Sequence, residues 1–248
     1  MRLRRLPLLG TLSLLAALVL LTTSGCAAWR IRQSLELARQ SEPYQVTPVG
    51  ATARLLVVGD STAVGTGVSA SAASVAGLIS RDHPQLTIVN RARDGARFSD
   101  IVAQLESEEK FEAILVLGGG NDVIRFTRGE LLEQDIARTA ELARTHARLV
   151  VFMPAGNVGS APFFFAPWSW LMTERSRKLH GFVRQAAADN GALYVNLFKE
   201  KADDPFAQRP DELHARDGLH PSDAGYRLWY GELNTQAGFP DRLTALSR

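Results

Sequence analysis

Five short apolar runs, each followed by a segment with a different periodicity, constrain the fold more than any other feature of the chain. The runs are continuous rather than alternating, which is typical of strands buried on both faces of a sheet. The segments around 72–82, 98–109, 129–146 and 172–190 repeat apolar residues every three or four positions, which predicts helices. A last helix is predicted after Ser222. The apolar runs are Arg54–Gly59, Leu86–Asn90, Ala113–Gly118, Arg148–Met153 and Ala192–Leu197.

This alternation of strand and helix predicts an α/β fold. Helices on both faces of a five-stranded parallel sheet give a three-layer α/β/α sandwich. We find no internal repeat and no second core, so residues 54–248 are predicted to form one domain. In such sheets, functional groups collect just past the carboxyl ends of the strands. The loops after the first three strands and the loop before the last helix are therefore the places to look for a site.

The N-terminus has the pattern of an export signal. Arg2, Arg4 and Arg5 precede an apolar run from Leu6 to Leu21. A cationic start, an apolar stretch of this length and small residues behind it are typical of a signal peptide. The run is short for a membrane span, which needs about 20 residues. The arginines would keep that end in the cytoplasm, so we expect the domain in the cell envelope, outside the cytoplasm.

The single cysteine, Cys26, lies directly behind this signal. Ser24-Gly25-Cys26 resembles a bacterial lipoprotein box, in which the cysteine is lipidated, although Thr23 stands where an aliphatic residue is usual. The alternative is an uncleaved signal anchor, so residues 1–26 are either a signal peptide or an anchor. Both alternatives tether the protein to the membrane. Residues 27–53 are predicted to form a short helix and then a stalk.

The charge balance depends on this signal. The formal charge of the chain is +2, with 28 Lys plus Arg against 26 Asp plus Glu. Residues 1–26 hold three of the arginines and no acid, which leaves 25 bases against 26 acids and a charge of −1. The basic balance therefore belongs to the export signal, and we predict no nucleic-acid partner.

Two glycine-rich segments follow predicted strands. In the first, Gly59–Gly67, Ser61 could be an exposed nucleophile, or the backbone could hold a phosphate. The segment matches neither the P-loop, since no Lys follows its glycines, nor the dinucleotide-binding pattern. In the second, Gly118–Asp122, the amide of Asn121 could stabilise a developing oxyanion. Its alternative role is to cap the next helix.

Near the C-terminus, Asp217 precedes His220 by three residues. A serine hydroxyl needs a base to take its proton, and that base must be held in one tautomer. An aspartate at this spacing could bond Nδ1 of His220 while Nε2 faces the serine. The alternative is a solvated surface turn. The pair Asp211 and His214 repeats the same spacing six residues earlier.

Taken in order, these segments resemble the blocks of the SGNH, or GDSL, hydrolase family. Gly59-Asp60-Ser61 is similar to its first block, Gly119–Asp122 to its Gly-x-Asn-Asp block, and Asp217–His220 to its Asp-x-x-His block. His220-Pro221 followed by Gly225-Tyr226 also resembles the histidine block, which favours His220 over His214. For the glycine of the second block we take Gly95. The chain departs from that block at Ala92 and Arg97.

The resemblance implies a flavodoxin-like SGNH hydrolase fold and an esterase mechanism. Ser61 would attack an acyl carbonyl, His220 would act as base and then acid, and Asp217 would orient His220. The backbone N–H groups of Ser61 and Gly95 and the side chain of Asn121 would hold the oxyanion. We assign Asp60 and Asp122 to structure, as hydrogen-bonding groups of a loop and a helix start.

The segment Ala161–Leu171 (APFFFAPWSWL) is unusually aromatic for a loop. Its residues either form a lip that binds an acyl chain or contacts the membrane, or they are tucked over the core. The candidate substrate-binding residues are Phe163, Phe164, Phe165 and Trp168. His83, His146 and His180 fall on predicted helices or at their ends, where we expect them to be solvated. No spacing predicts a metal, and no cofactor is predicted.

The sequence thus predicts an exported, membrane-tethered serine hydrolase of small or lipid-like carboxylic esters. Within the same chemistry, the alternative is an O-acetyl esterase or acetyltransferase that acts on an envelope polysaccharide. An alternative of another class is a non-catalytic binding or assembly protein on the same scaffold.

Overall fold

The computed structural model describes residue 25 and residues 28–246. The predicted export signal and Cys26 lie outside the described residues. The first described helix, α1, covers residues 28–40. The strands are β1 (Ala53–Gly59), β2 (Leu86–Asn90), β3 (Phe111–Gly118), β4 (Ala147–Pro154) and β5 (Leu193–Tyr194). The other helices are α2 (Ser61–Val64), α3 (Val75–Asp82), α4 (Phe98–Leu105), α5 (Gly120–Ile124), α6 (Gly129–His146), α7 (Trp168–Asp189), α8 (Pro205–Gln208), α9 (Pro210–Leu213), α10 (Asp223–Ala237) and α11 (Phe239–Leu246).

The five strands form one parallel sheet in the order β2-β1-β3-β4-β5. This is the order of flavodoxin-like folds, in which the chain reverses its winding direction between β1 and β3. The register places Gly59, at the end of β1, beside Leu117 of β3. The loops that follow these two strands therefore meet at the carboxyl edge of the sheet.

The sheet is covered on both faces, as its continuous apolar strands require. One core cluster joins alternate strand residues such as Leu55 and Leu115 to α3, α10 and α11. The other joins the intervening strand residues, such as Leu56 and Val116, to α4, α6 and α7. The predicted three-layer sandwich with a five-stranded parallel sheet is confirmed.

The last strand is shorter than the run Ala192–Leu197 that predicted it. Val195 still donates its backbone N–H to Phe152 of β4, at 2.8 Å. One residue later, the N–H of Asn196 bonds to the side chain of Gln236 on α10, at 2.8 Å. Because β5 is an edge strand, a side chain from the covering helix can replace the neighbouring strand as hydrogen-bond partner.

Helix α7, predicted over residues 172–190, begins earlier than predicted. The pattern suggested a start near residue 172, but α7 begins at Trp168, directly after Pro167. Part of the aromatic segment is therefore helical rather than a loop. Its C-terminus lies as predicted, with Asn190 at the C-cap and Gly191 at a φ of 60°.

The segment before β1 lies against the sheet. Val46 forms an isolated antiparallel bridge with Ile88 of β2, and the hydroxyl of Tyr44 bonds to Ser80 at 3.0 Å. No helix among residues 28–246 is both long and apolar enough to cross a membrane.

Candidate active site

Ser61 stands at the carboxyl edge of the sheet because a short helix begins there. Asp60, the residue after β1, caps α2 and accepts hydrogen bonds from the backbone N–H of Thr62 at 2.8 Å and from its hydroxyl at 2.7 Å. Burial raises the pKa of Asp60, although Thr62 stabilises its charged form. The cap fixes the turn from strand to helix, so Ser61 is the first residue of α2. These contacts are consistent with the assignment of Asp60 to a structural role.

The acid and the base lie on one tight turn before α10. One carboxylate oxygen of Asp217 accepts the backbone N–H groups of Leu219 and His220, at 3.0 and 3.1 Å. The other lies 2.6 Å from Nδ1 of His220. Burial opposes the charge of Asp217, whose side chain is fully buried, but the hydrogen bonds from His220 and the backbone outweigh it and lower its pKa. Hydrogen bonds to both oxygens therefore hold the Asp217 carboxylate in place.

The histidine connects this turn to the serine. Nε2 of His220 lies 3.0 Å from Oγ of Ser61, across 159 residues of sequence. A carboxylate can only accept, so Nδ1 of His220 carries a hydrogen and donates it to Asp217. Nε2 is then an acceptor that faces the hydroxyl of Ser61. The structure thus brings Ser61, His220 and Asp217 into one hydrogen-bonded chain.

A glycine lets the two loops approach each other. Gly67, after α2, has a φ of 105°, which favours glycine. A Cβ at this position would lie 2.4 Å from the backbone oxygen of Pro221 and 3.1 Å from Cβ of His220. Any side chain here would push the His220 turn away from the Ser61 loop.

The three predicted oxyanion donors have no acceptor within the part of the chain that the structure describes. These are the backbone N–H groups of Ser61 and Gly95 and the side-chain amide of Asn121. Gly119, rather than Asn121, occupies the N-cap of α5, so the alternative role of Asn121 as a helix cap is wrong. Gly95 has a φ of 77° in the loop after β2, the strand next to β1. Ser61 and Asn121 line one cavity. Donors left free beside a nucleophile are what a developing oxyanion requires.

Asp122, the neighbour of Asn121, has a structural contact. Its Oδ2 accepts the backbone N–H of Phe98, the first residue of α4, at 3.0 Å. Burial raises the pKa of Asp122 to about 6. This bond ties α5, which carries Asn121, to the helix that follows Gly95, in agreement with the structural assignment of Asp122.

A cavity of about 90 Å³ opens beside Ser61 and His220. It extends between the loop after β4 and the segment from α8 to α10. A cavity of this size has room for a group of a few heavy atoms. Its lining includes Asn121, Ile124, Asn157, Ala161, Leu197, Asp204, Phe206, His214, Leu219 and Trp229.

The four aromatic residues proposed for substrate binding do not line this cavity. Of their segment, only Ala161 does. The backbone N–H of Phe163 donates to the oxygen of Gly218 at 3.0 Å, which places the segment against the Asp217 turn. Phe164 packs on the core, whereas Phe165 and Trp168 are exposed.

Sequence reasoning missed most of the far wall of the cavity. Asp204, Phe206 and Trp229 belong to segments with no motif, and nothing in their spacing indicated a site. His214, set aside as the weaker histidine, reaches the cavity because its backbone forms an isolated bridge with Pro221, next to His220. Burial lowers the pKa of His214. A repeat of the Asp-x-x-His spacing so close to His220 was the one available signal.

The expectation that His180 is solvated is wrong. It is buried, and its Nε2 lies 2.8 Å from the oxygen of Ala155, a residue that lines the cavity. A carbonyl only accepts, so Nε2 carries the hydrogen, and Nδ1 accepts from the hydroxyl of Tyr194 at 2.6 Å. Burial lowers the pKa of His180 to about 4. His83 and His146 are half-buried.

His180 should make the stability of the fold depend on pH. As the pH falls from 6.5 towards 4, the unfolded chain binds a proton on His180 and the folded protein does not, so stability is lost. The loss is about 3 kcal/mol, at roughly 1.4 kcal/mol for each pH unit. In His180→Gln the residue stays neutral, so the difference in unfolding free energy between wild type and variant should shrink by that amount from about pH 7 to about pH 4.

Urea unfolding followed by circular dichroism measures this difference. The raised pKa of Asp122 acts in the opposite direction, since it favours folding as the pH falls, but it is common to both proteins and cancels. A difference that stays constant over this range would contradict the prediction.

No group of three or more His, Cys, Asp or Glu residues within 28–246 is arranged to hold a metal ion. The prediction that the protein uses no metal and no cofactor stays a prediction.

The fold is that of the SGNH class of ester hydrolases. Residues 57–228 match the model of the GDSL-like Lipase/Acylhydrolase family. The chain therefore belongs to that family. No curated protein matches it.

Several solved structures share the fold. TesA is 20% identical, with 75% of this chain and 99% of that chain covered and a TM-score of 0.59. LAE5, an α/β hydrolase from the metagenome of Lake Arreo, is 19% identical, with coverages of 76% and 96% and a TM-score of 0.60. Axe2, an acetylxylan esterase from Geobacillus stearothermophilus, is 21% identical, with coverages of 77% and 96% and a TM-score of 0.56. At these identities the likeness concerns the fold.

Proposed function

We propose that the protein hydrolyses carboxylic esters through a catalytic triad of Ser61, His220 and Asp217. The observation that carries this proposal is the continuous hydrogen-bonded chain from Asp217 through His220 to Ser61. The free donors of Ser61, Gly95 and Asn121 complete the set of groups that acyl transfer requires. A non-catalytic scaffold has no need of a buried carboxylate, an oriented imidazole and unused donors together.

In the first half of the reaction, Oγ of Ser61 attacks the carbonyl carbon of the ester while Nε2 of His220 takes the hydroxyl proton. Negative charge moves to the carbonyl oxygen, which Ser61, Gly95 and Asn121 stabilise. When the tetrahedral intermediate collapses, His220 gives the proton to the leaving alcohol and the acyl group remains on Ser61. Asp217 keeps its charge and stabilises the imidazolium.

The second half repeats these steps with water. His220 takes a proton from a water molecule, whose oxygen attacks the acyl carbonyl. The second intermediate collapses, Ser61 regains its proton from His220, and the carboxylic acid leaves. If another alcohol took the place of water, the same residues would perform acyl transfer.

A second candidate, removal or transfer of acetyl groups on an envelope polysaccharide, is favoured by the size of the cavity. A space of about 90 Å³ suits a short acyl group better than a fatty-acyl chain. The fold is also that of Axe2, whose name is acetylxylan esterase.

The test uses the full chain purified in mild detergent. It should hydrolyse p-nitrophenyl esters, fastest for acetate to butyrate and more slowly as the acyl chain lengthens to palmitate. A fluorophosphonate probe should label it. A protein that is neither active on any of these esters nor labelled would reject the proposed function. A preference for palmitate would reject the acetyl candidate and leave the ester hydrolase.

We also propose that the domain is exported and stays tethered to the membrane in the cell envelope. Arg2, Arg4, Arg5 and the apolar run from Leu6 to Leu21 support export, and Cys26 supports lipidation. Cell fractionation tests both parts. Recovery with the cytoplasm would reject export, and unchanged membrane association of Cys26→Ser would reject lipidation in favour of a signal anchor.

A further inference from the structure

The first turn of α7 presents large apolar side chains to solvent. Trp168, Trp170 and Leu171 are all exposed, Trp170 at 71%. At about 100° per residue, Trp168 and Leu171, three positions apart, share one side of the helix, and Trp170 lies about 100° further round. The exposed side of the first turn is therefore continuously apolar. Phe165 precedes the turn, and Phe126, after α5, meets Trp168 edge to face at 6.4 Å. We call these five residues the aromatic face.

Four of the five residues of the aromatic face lie in an uncharged stretch of sequence. The eleven residues from Pro162 to Met172 contain no Asp, Glu, Lys or Arg. An exposed apolar patch of this kind marks a surface that meets another molecule. Tryptophan is enriched at the boundary between water and lipid, where its ring is buried and its indole N–H stays hydrated. Trp, Phe and Leu together form the apolar side of helices that lie in this boundary.

The N-terminal part of the chain meets this face. The guanidinium of Arg30 on α1 lies over the ring of Phe165, 5.6 Å from its centre, and donates to the backbone oxygen of Pro162. Trp29, on the same helix, is also exposed. The chain that leads to the domain therefore passes beside the aromatic face.

Chain length then sets how far the face can lie from a bilayer. Only eight residue steps separate Leu21, the last residue of the apolar run, from Trp29. At no more than about 3.6 Å for each step, they span less than about 30 Å. Cys26, the alternative tether, lies only three residue steps from Trp29. Whether the anchor is the apolar run or a lipidated Cys26, the proposed tethering confines the aromatic face to the region of the lipid surface.

We infer that the aromatic face inserts into the surface of the lipid bilayer to which the chain is tethered. This inference rests on the proposed export and tethering. The occupant is lipid rather than a second protein because the tether restricts the face to the membrane surface. The guanidinium groups of Arg30 and Arg175 lie over two of its rings, and apolar side chains beside basic groups are typical of helices at a lipid surface. Insertion also orients the active site. Phe163, within the same segment, bonds to Gly218 in the Asp217 turn, so the turn that carries Asp217 and His220 is held close to the membrane. The substrate class this favours is an ester displayed at the membrane surface.

The test uses tryptophan fluorescence, because the chain has four tryptophans in different places. Two single-tryptophan proteins are made in the full chain by replacing the other three with Phe. One keeps Trp170, and the other keeps Trp229, which is 7% exposed within the domain. Both carry the same N-terminal segment and are reconstituted in phosphatidylcholine vesicles with brominated acyl chains, which quench tryptophan on contact.

We expect quenching of Trp170 by about twofold or more and little quenching of Trp229, since only the first ring would reach the acyl chains. Equal quenching of the two proteins would overturn the inference. So would an unquenched Trp170 in a protein that sediments as a dimer, because the face would then bind a second copy.

A double variant, Trp170→Ser with Leu171→Ser, provides the functional measurement. Neither residue belongs to the proposed catalytic machinery, so turnover of soluble p-nitrophenyl acetate should be unchanged. Turnover of a short-chain ester embedded in vesicles should fall by about threefold or more, because the site is no longer held at the lipid surface. Equal turnover of the embedded ester by wild type and variant would contradict the inference. Quenching requires no catalysis, so a protein whose Trp170 is quenched but which hydrolyses nothing would reject the proposed function and retain the membrane contact.

Discussion

Ser61→Ala is expected to lower kcat for p-nitrophenyl acetate by about 10⁵- to 10⁶-fold, because removing the nucleophile of a triad removes the benefit of its partners as well. Without Oγ there is no acyl-enzyme, and His220 and Asp217 have no hydroxyl to activate. The loss corresponds to about 7–8 kcal/mol in the activation free energy. The remaining rate would come from the free donors of Ser61, Gly95 and Asn121, which do not depend on Oγ. The measurement is kcat at saturating substrate, together with fluorophosphonate labelling.

The structure of the variant should change little. Oγ of Ser61 makes one hydrogen bond, to Nε2 of His220, and losing it is worth only about 1 kcal/mol of stability. Thermal unfolding should therefore remain close to that of the wild type. Ser99→Ala, at an exposed serine of α4, is the matched control and should keep full activity. Labelling of Ser61→Ala as strong as that of the wild type would show that another residue is the nucleophile.

The sheet could be predicted from the sequence because its strands are buried on both faces. Continuous apolar runs placed β1 to β4 to within two residues. The same reasoning overestimated β5, since an apolar edge strand can lose its partner to a side chain such as that of Gln236. The apolar periodicity indicates a helix only from about residue 172, so the aromatic segment is predicted to be a loop, yet α7 begins directly after Pro167, a residue compatible with a helix start.

The residues of the site, like the strands, could be predicted only in part. Ser61, His220 and Asp217 could be proposed from their order and spacing, since Ser61 follows the first predicted strand and the other two precede the last predicted helix. The wall formed by Asp204, Phe206 and Trp229 could not, because only tertiary packing brings these residues to the cavity. His180 was misjudged for a related reason. A histidine on an amphipathic helix is compatible with solvent, and its burial depends on Tyr194 and Ala155, which come from two neighbouring strands and their loops.

Asp217→Asn is expected to lower kcat by about 10⁴-fold while it leaves the turn intact. The backbone N–H groups of Leu219 and His220 need an acceptor, so the amide oxygen should take the place of Oδ1. The NH₂ group then faces Nδ1 of His220 and donates to it. The imidazole hydrogen moves to Nε2, where it points at Ser61, so Nε2 can no longer accept the serine proton. The imidazole is present in the variant but in the wrong tautomer.

The repeated spacing supplies the control for this prediction. Asp211 also precedes a histidine by three residues, but it is exposed, and Nδ1 of His214 faces the oxygen of Pro210 at 3.3 Å rather than a carboxylate. Asp211→Asn should therefore change kcat by less than about twofold, as expected for a surface substitution. The pair of variants separates a carboxylate that fixes a tautomer from one that shares only its spacing. Equal losses in the two variants, or an Asp217→Asn protein within tenfold of wild type, would mean that the tautomer of His220 is not what limits the reaction.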